Sequence, residues 1–143
     1  MTSRPQYETQ FDLDNEGSAK TRIEAAFKCM LHKLPISYSA DWVATRNGEI
    51  VAVLEYKKRT CARDTYPTTF VFVDKWMNGQ RLSDTMSVPF FLLIEWTDGL
   101  YWHEVGKSPV TFKVSGRTDR GDPQDIQPSV HIPVTAFTKV NKG

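Results

Sequence analysis

The spacing of hydrophobic positions along the chain changes several times, and each change predicts an element. From Ser18 to Lys33, Ala19, Ile23, Ala26, Phe27 and Met30, with Leu34 just beyond, recur at intervals of three and four, which predicts an amphipathic helix. Asp14, Asn15 and Ser18 each offer a short oxygen to the unpaired amides of its first turn, and Pro35 stops it. Residues 1–14 read as a polar N-terminal arm. Two β-rich runs follow, Asp41 to Thr45 and Glu49 to Lys57, separated around Asn47-Gly48, a pair suited to a tight hairpin turn. The second run is apolar on both faces, with Ile50, Ala52, Leu54 and Tyr56 on one side and Val51 and Val53 on the other, so it belongs in the interior of a sheet. Glu55 and Lys57 continue the valine face as two charges at the end of that strand.

Beyond the polar loop Lys58 to Pro67, Thr68 to Val73 predicts a strand and Asp74 to about Met86 a helix. Pro89 to Trp96 is a third buried strand, and Asp98-Gly99 turns the chain into Leu100 to Val105 as a second hairpin. Val110 to Val114 and Val130 to Val134 form a last strand pair that closes the sheet, with residues 116–127 between them as a charged surface loop rich in Gly and Pro. The expected architecture is a single α/β domain over residues 1–143. It has a mixed central sheet, the first helix packed on it, and C-terminal hairpins extending it.

Composition narrows the class. The chain has 143 residues, long enough to bury a core without a disulfide or metal staple. Lys plus Arg total 18 against 17 for Asp plus Glu, so a polyanion would have to be met by a local patch rather than a global field. The two cysteines, Cys29 and Cys61, fit neither a metal ligand pair nor a redox motif, which points to a reducing, cytoplasmic setting. No signal-peptide pattern opens the chain, and no apolar run approaches the ~20 residues of a membrane helix, so no membrane partner is expected. A phosphate-binding glycine loop, a nucleophile elbow and a dinucleotide fingerprint are all missing from the sequence, which removes the main support for NTP-driven and acyl-transfer chemistry.

The candidate chemistry lies in the first hairpin, which folds Asp41 toward Glu55 and Lys57. Its geometry depends on the turn. A two-residue turn pairs Arg46 with Glu49, sets Asp41 opposite Leu54 and points the carboxylates to opposite faces. A three-residue turn with Gly48 in a bulge pairs Thr45 with Glu49, sets Asp41 opposite Val53 and brings Asp41, Glu55 and Lys57 to one face. Two close carboxylates and a lysine suit phosphodiester hydrolysis with Mg²⁺ or Mn²⁺, because a hard ion takes oxygen donors and commonly uses only one or two protein carboxylates. Lys57 would orient the water or stabilise the charge that develops at phosphorus. A third carboxylate, Glu24 or Glu16 from the first helix, could complete the shell. Glu24 is favoured because it adjoins Ile23 and Phe27.

Asp41 followed by Glu55-Tyr56-Lys57 on adjacent strands, after a helix bearing Glu24, resembles the PD-(D/E)xK nuclease superfamily of restriction enzymes, Holliday-junction resolvases and repair nucleases. The similarity covers roughly Ser18 to Trp96 and implies the restriction-endonuclease-like αβββαβ core of that superfamily, here with a C-terminal β-hairpin extension. It implies metal ligation by Asp41 and Glu55, assistance from Lys57, and activity as a Mg²⁺- or Mn²⁺-dependent DNA endonuclease. A homodimer is suggested too, since one such site cleaves one strand. The longer pattern Glu55-Tyr56-Lys57-Lys58-Arg59, Tyr66, Lys75-Trp76 and Trp96-Thr97-Asp98-Gly99 also resembles small phage-encoded proteins of this type, which implies an intracellular place in a bacterial host.

Around this trio, Lys58, Arg59, Arg63 and Lys75 are candidate DNA-phosphate contacts, with a solvated loop as the alternative. Tyr66 and Trp76 either stack on bases or pack in the core. His32, His103 and His131 lack ligand spacing and are assigned to no metal. Two other classes stay open. One is a catalytically inactive module of the same fold that binds nucleic acid or protein through the basic face. The other is a β-rich assembly component, which would show an exposed apolar patch and no convergent carboxylates.

Overall fold

The computed structural model describes residues 10–35, 40–115 and 127–140. In it the expected first helix divides in two. Helix α1 spans Gln10–Phe27, beginning inside the stretch read as an arm. It ends where Lys28 adopts a left-handed φ of 53° and the Cys29 N–H donates to the Glu24 carbonyl at 3.3 Å, the hydrogen bond of a helix C-cap. Met30–Lys33 is then not helix but strand β1, antiparallel to β2 (Trp42–Arg46). Helical spacing ran on through these residues by coincidence. Leu31 points into the core, while Met30 is 63% exposed on the sheet edge.

Strand β3 (Glu49–Lys58) pairs with β2 through a two-residue turn, with Asn47 at φ 54° and Gly48 at φ 80°. Arg46 faces Glu49 and Thr45 faces Ile50, but Ala44 faces Ala52, so Val51 is an extra residue in a β-bulge. Trp42 therefore faces Leu54, one step from the register that a two-residue turn alone would give and two steps from that of a three-residue turn. The two-residue turn does not separate Asp41 and Glu55, because the bulge has already exchanged the faces.

β3 is an interior strand, as its two apolar faces require. The larger sheet has the order β1-β2-β3-β5-β6-β9, where β5 is Phe90–Trp96, β6 is Gly99–Glu104 and β9 is Thr138–Lys139. β3 and β5 are parallel, and the other neighbours are antiparallel, so the sheet is mixed. The connection from β3 to β5 passes through β4 (Thr68–Phe72) and helix α2 (Val73–Met86). The last strand pair, β7 (Thr111–Ser115) and β8 (Gln127–Pro133), does not extend this sheet. It joins β4 in a second sheet of order β4-β8-β7. The expected surface loop lies outside the described residues except for Gln127, which opens β8.

The core has two layers. On one side of the large sheet, Ala19 and Ile23 of α1 pack with Trp42, Leu54, Tyr56 and Leu93. On the other, Val43, Val53, Leu92 and Ile94 meet Trp76 of α2 and Val71, Val130 and Ile132 of the second sheet. Gly79 lets α2 approach closely, since a Cβ there would run into the Phe90 ring. Among the described residues no helix is long and apolar enough to cross a membrane.

Candidate active site

Asp41 sits one residue before β2, held at both ends. Its N–H donates to the Leu54 carbonyl at 3.1 Å and its carbonyl accepts the Leu34 N–H at 2.8 Å. Its Oδ2 accepts the Tyr56 N–H at 2.8 Å. The residue thus brackets Glu55 from both neighbours of that residue. Val43 faces Val53 across the hairpin, and alternation places Asp41, Glu55 and Lys57 on this same side, toward α2 and the second sheet. Glu55 is buried at 3% exposure, whereas Asp41 and Lys57 are half-buried.

The structure does not bring Glu24 into this group. α1 covers the opposite side of the sheet, where Glu24 Oε2 accepts the Leu31 N–H at 2.8 Å and pairs with Lys20 at 3.4 Å. Glu24 thus secures the turn from α1 into β1, which explains why its sequence position beside Ile23 is misleading. Glu16 lies within α1, and its side chain is outside the described atoms.

Directly behind the acidic pair is a set of contacts that the reading of the sequence missed. The Tyr56 hydroxyl donates to Glu95 Oε1 at 2.7 Å, and Arg22 of α1 pairs with Glu95 Oε2. Burial would raise the Glu95 pKa, but the hydrogen bonds from Arg22 and Tyr56 and the positive charges of Arg22 and Lys58 outweigh it and hold the carboxyl below its usual range. A signal was present: Glu95 is the one charge in the otherwise apolar run Phe90–Trp96, and a charge in a buried strand requires partners.

The expected basic face separates into two groups. Arg59 is half-buried, with its guanidinium donating to the Phe70 carbonyl and lying 5.2 Å from the centre of the Phe70 ring. Burial lowers its pKa. Arg63 donates to the Val134 carbonyl at 3.2 Å and lies 5.1 Å from the centre of the Tyr101 ring. Both arginines therefore tie the segment after β3 to the second sheet and its flanks. Lys58 is exposed and Lys75 half-buried. Of the two candidate stacking residues, Trp76 is in the core and Tyr66 is 64% exposed.

The donor set fits a hard divalent cation. Asp41, just before β2, and Glu55, on β3, offer carboxylate oxygens, and among the described residues no group of three or more His, Cys, Asp or Glu side chains is arranged for metal binding. His103 is buried, with Nδ1 3.3 Å from the Ala136 carbonyl oxygen.

A mixed sheet flanked by helices, with one carboxylate just before one strand and a second carboxylate and a lysine on the strand beside it, is the architecture of the PD-(D/E)xK nucleases. More narrowly, the chain belongs to the family described as "Phage putative PDDEXK endonuclease", which matches residues 2–140. Among solved structures it is similar to Hjc, a Holliday junction resolvase from the archaeal hyperthermophile Archaeoglobus fulgidus. The TM-score is 0.56 at 8% identity, covering 87% of this chain and 95% of that one, so the likeness is one of fold. No curated protein sequence matches the chain.

Proposed function

We propose that this protein is a divalent-metal-dependent DNA endonuclease, with Asp41 and Glu55 holding Mg²⁺ or Mn²⁺ and Lys57 acting at the scissile phosphate. The observation that carries this reading is the bracketing of Glu55 by Asp41, whose N–H and Oδ2 bond to the residues on either side of it. A bound cation would supply a water of lowered pKa and offset charge at the leaving oxygen. The chain's own contribution is orientation. The Tyr56 N–H fixes one Asp41 oxygen, burial keeps Glu55 in surroundings where a charge attracts a cation strongly, and Lys57 orients the attacking water or donates to a phosphate oxygen.

Glu24 is engaged elsewhere, on the side of the sheet that α1 covers, so in this reading the cation is held by the acidic pair itself. Exposed Lys58, with Lys75, supplies phosphate contacts. The family's description as a phage endonuclease supports DNA as substrate and an intracellular setting in a bacterial host. Cys29 and Cys61, both free thiols, agree with a reducing compartment. A homodimer would place two such sites on the two strands of a duplex.

The test is cleavage of supercoiled, linear, single-stranded and four-way-junction DNA with Mg²⁺ or Mn²⁺, comparing wild type with Glu55→Ala and Lys57→Ala. Metal-dependent cleavage lost in both variants is expected, and the preferred substrate identifies the DNA form. No cleavage of any substrate, with variants that fold and bind DNA like wild type, would overturn the reading in favour of a non-catalytic binding module.

A further inference from the structure

The geometry points to Tyr56, acting with Glu95 and Arg22, as a positioning residue for the acidic pair. This rests on the nuclease reading of Asp41 and Glu55. Tyr56 lies between Glu55 and Lys57 in the strand, so its side chain projects to the opposite side of the sheet from theirs. It is restrained at three places. Its N–H donates to Asp41 Oδ2, its ring packs on Trp42 with centroids 5.8 Å apart, and its hydroxyl donates to Glu95 Oε1 at 2.7 Å. Trp42 immediately follows Asp41. The ring contact and the backbone bond therefore join β3 to both residues at the start of β2.

The hydroxyl contact reaches further. Glu95 stands on β5, the parallel neighbour of β3, and its second oxygen pairs with Arg22 of α1. Ala19 and Ile23 seat α1 through apolar contacts, which have little directional preference. The Arg22–Glu95–Tyr56 chain adds directional, charge-assisted bonds between α1, β5 and β3. Any roll of β3 about its own axis must break or stretch the hydroxyl bond on one face, and the same roll would swing Glu55 and Lys57 on the other. The chain thus acts as a brace that fixes the pitch of the strand where it carries the acidic pair, with no contact to the reacting atoms.

Tyr56→Phe removes one hydroxyl while keeping the ring and the backbone bond to Asp41. The expected result is a fall in kcat of between about tenfold and about hundredfold, the range for misplaced reacting groups. KM for DNA should stay within about twofold. Calorimetry on the DNA-free protein should show Mn²⁺ bound several-fold more weakly, and circular dichroism should show an intact fold. The double variant Tyr56→Phe with Glu95→Gln should be no worse in kcat than Tyr56→Phe alone, because the two residues act along one path. Arg22→Met, on an exposed position of α1, should move kcat and Mn²⁺ affinity in the same direction, and it decides the matter if Tyr56→Phe does not fold. Unchanged kcat and Mn²⁺ affinity in the folded variants, in a protein whose wild type cleaves DNA, would overturn the brace and leave the nuclease reading standing. A wild type that neither binds Mn²⁺ nor cleaves would overturn both.

Discussion

Asp41 Oδ2 accepts the backbone N–H of Tyr56 at 2.8 Å, so the first carboxylate of the candidate site is held by the strand that carries the second. Asp41 lies just before β2, where main-chain bonds to Leu34 and Leu54 hold it. Both carboxylates are set by a hairpin whose register is determined by main-chain bonds, and the consequences can be measured.

Glu55 is the buried carboxyl of the site, on the same side of the sheet as Asp41. Glu55→Gln keeps the size of the side chain and removes its charge, so with chelator present it should still fold, with an unfolding midpoint within about 4 °C of wild type. The same variant should lose both the cleavage activity and the rise in midpoint that Mn²⁺ gives the wild type by binding the folded state. A midpoint that rises with Mn²⁺ as much in the variant as in the wild type would remove Glu55 from the metal site.

Lys58 and Arg59 are adjacent in sequence but should behave differently. Lys58→Ala should weaken DNA binding at low salt and reduce the salt slope by about one, with the unfolding midpoint unchanged. Arg59→Ala should lower stability by about 1–3 kcal/mol, because it leaves the Phe70 carbonyl without its guanidinium donor and removes the cation from the Phe70 ring. Binding isotherms over a salt series, with urea unfolding of the same preparations, distinguish the two roles.

His103 predicts acid sensitivity. Burial is the main influence and pushes its pKa below the ordinary value, against the opposing effects of the Ala136 carbonyl and the Glu104 charge. His131 is lowered in the same direction, by burial and then by Lys113. The unfolded chain therefore takes up protons near pH 6.5 that the folded chain resists. Stability from these groups is complete above that pH and is lost as the pH falls from there through the lower folded values. The unfolding midpoint should drop between about pH 7 and about pH 5, the interval in which histidine changes charge, and drop less steeply in His103→Gln. Parallel curves for the two proteins would exclude His103 as a contributor.

Gly79→Ala pits helix propensity against packing. On an open helix face the change would gain about 1 kcal/mol. Here the added methyl meets the Phe90 ring, so a net loss of about 1–3 kcal/mol is expected. The companion Gly79→Ala with Phe90→Leu should recover part of that loss in urea unfolding.

The parts of this fold that could be read in the sequence are those whose information is local. Asn47-Gly48 marked the hairpin, the two apolar faces of β3 marked a central strand, and alternation put Glu55 and Lys57 on one face. β1 was hidden because Met30 continued a helical spacing by chance, and Leu31 is the strand's one buried side chain. The bulge at Val51 left no mark, since a valine suits a regular strand equally well. Arg59 and Arg63 looked like solvent-facing cations because their acceptors, Phe70 and Val134, belong to segments that meet them only after the second sheet assembles.

The bulge also gives the hairpin an attachment point. Residues 47 to 50 form a solvent-exposed tip beyond the extra residue, while Arg46 beneath it donates to the Phe27 carbonyl at the end of α1 at 2.6 Å. Pairing resumes at Ala44 and Ala52, so the ladder leading to Asp41 and Glu55 starts afresh below the tip. The tip can therefore accept a grafted peptide, a fluorophore or a tether to a surface without transmitting a change of length to the acidic pair. That makes it a natural handle for immobilising the protein in single-molecule work.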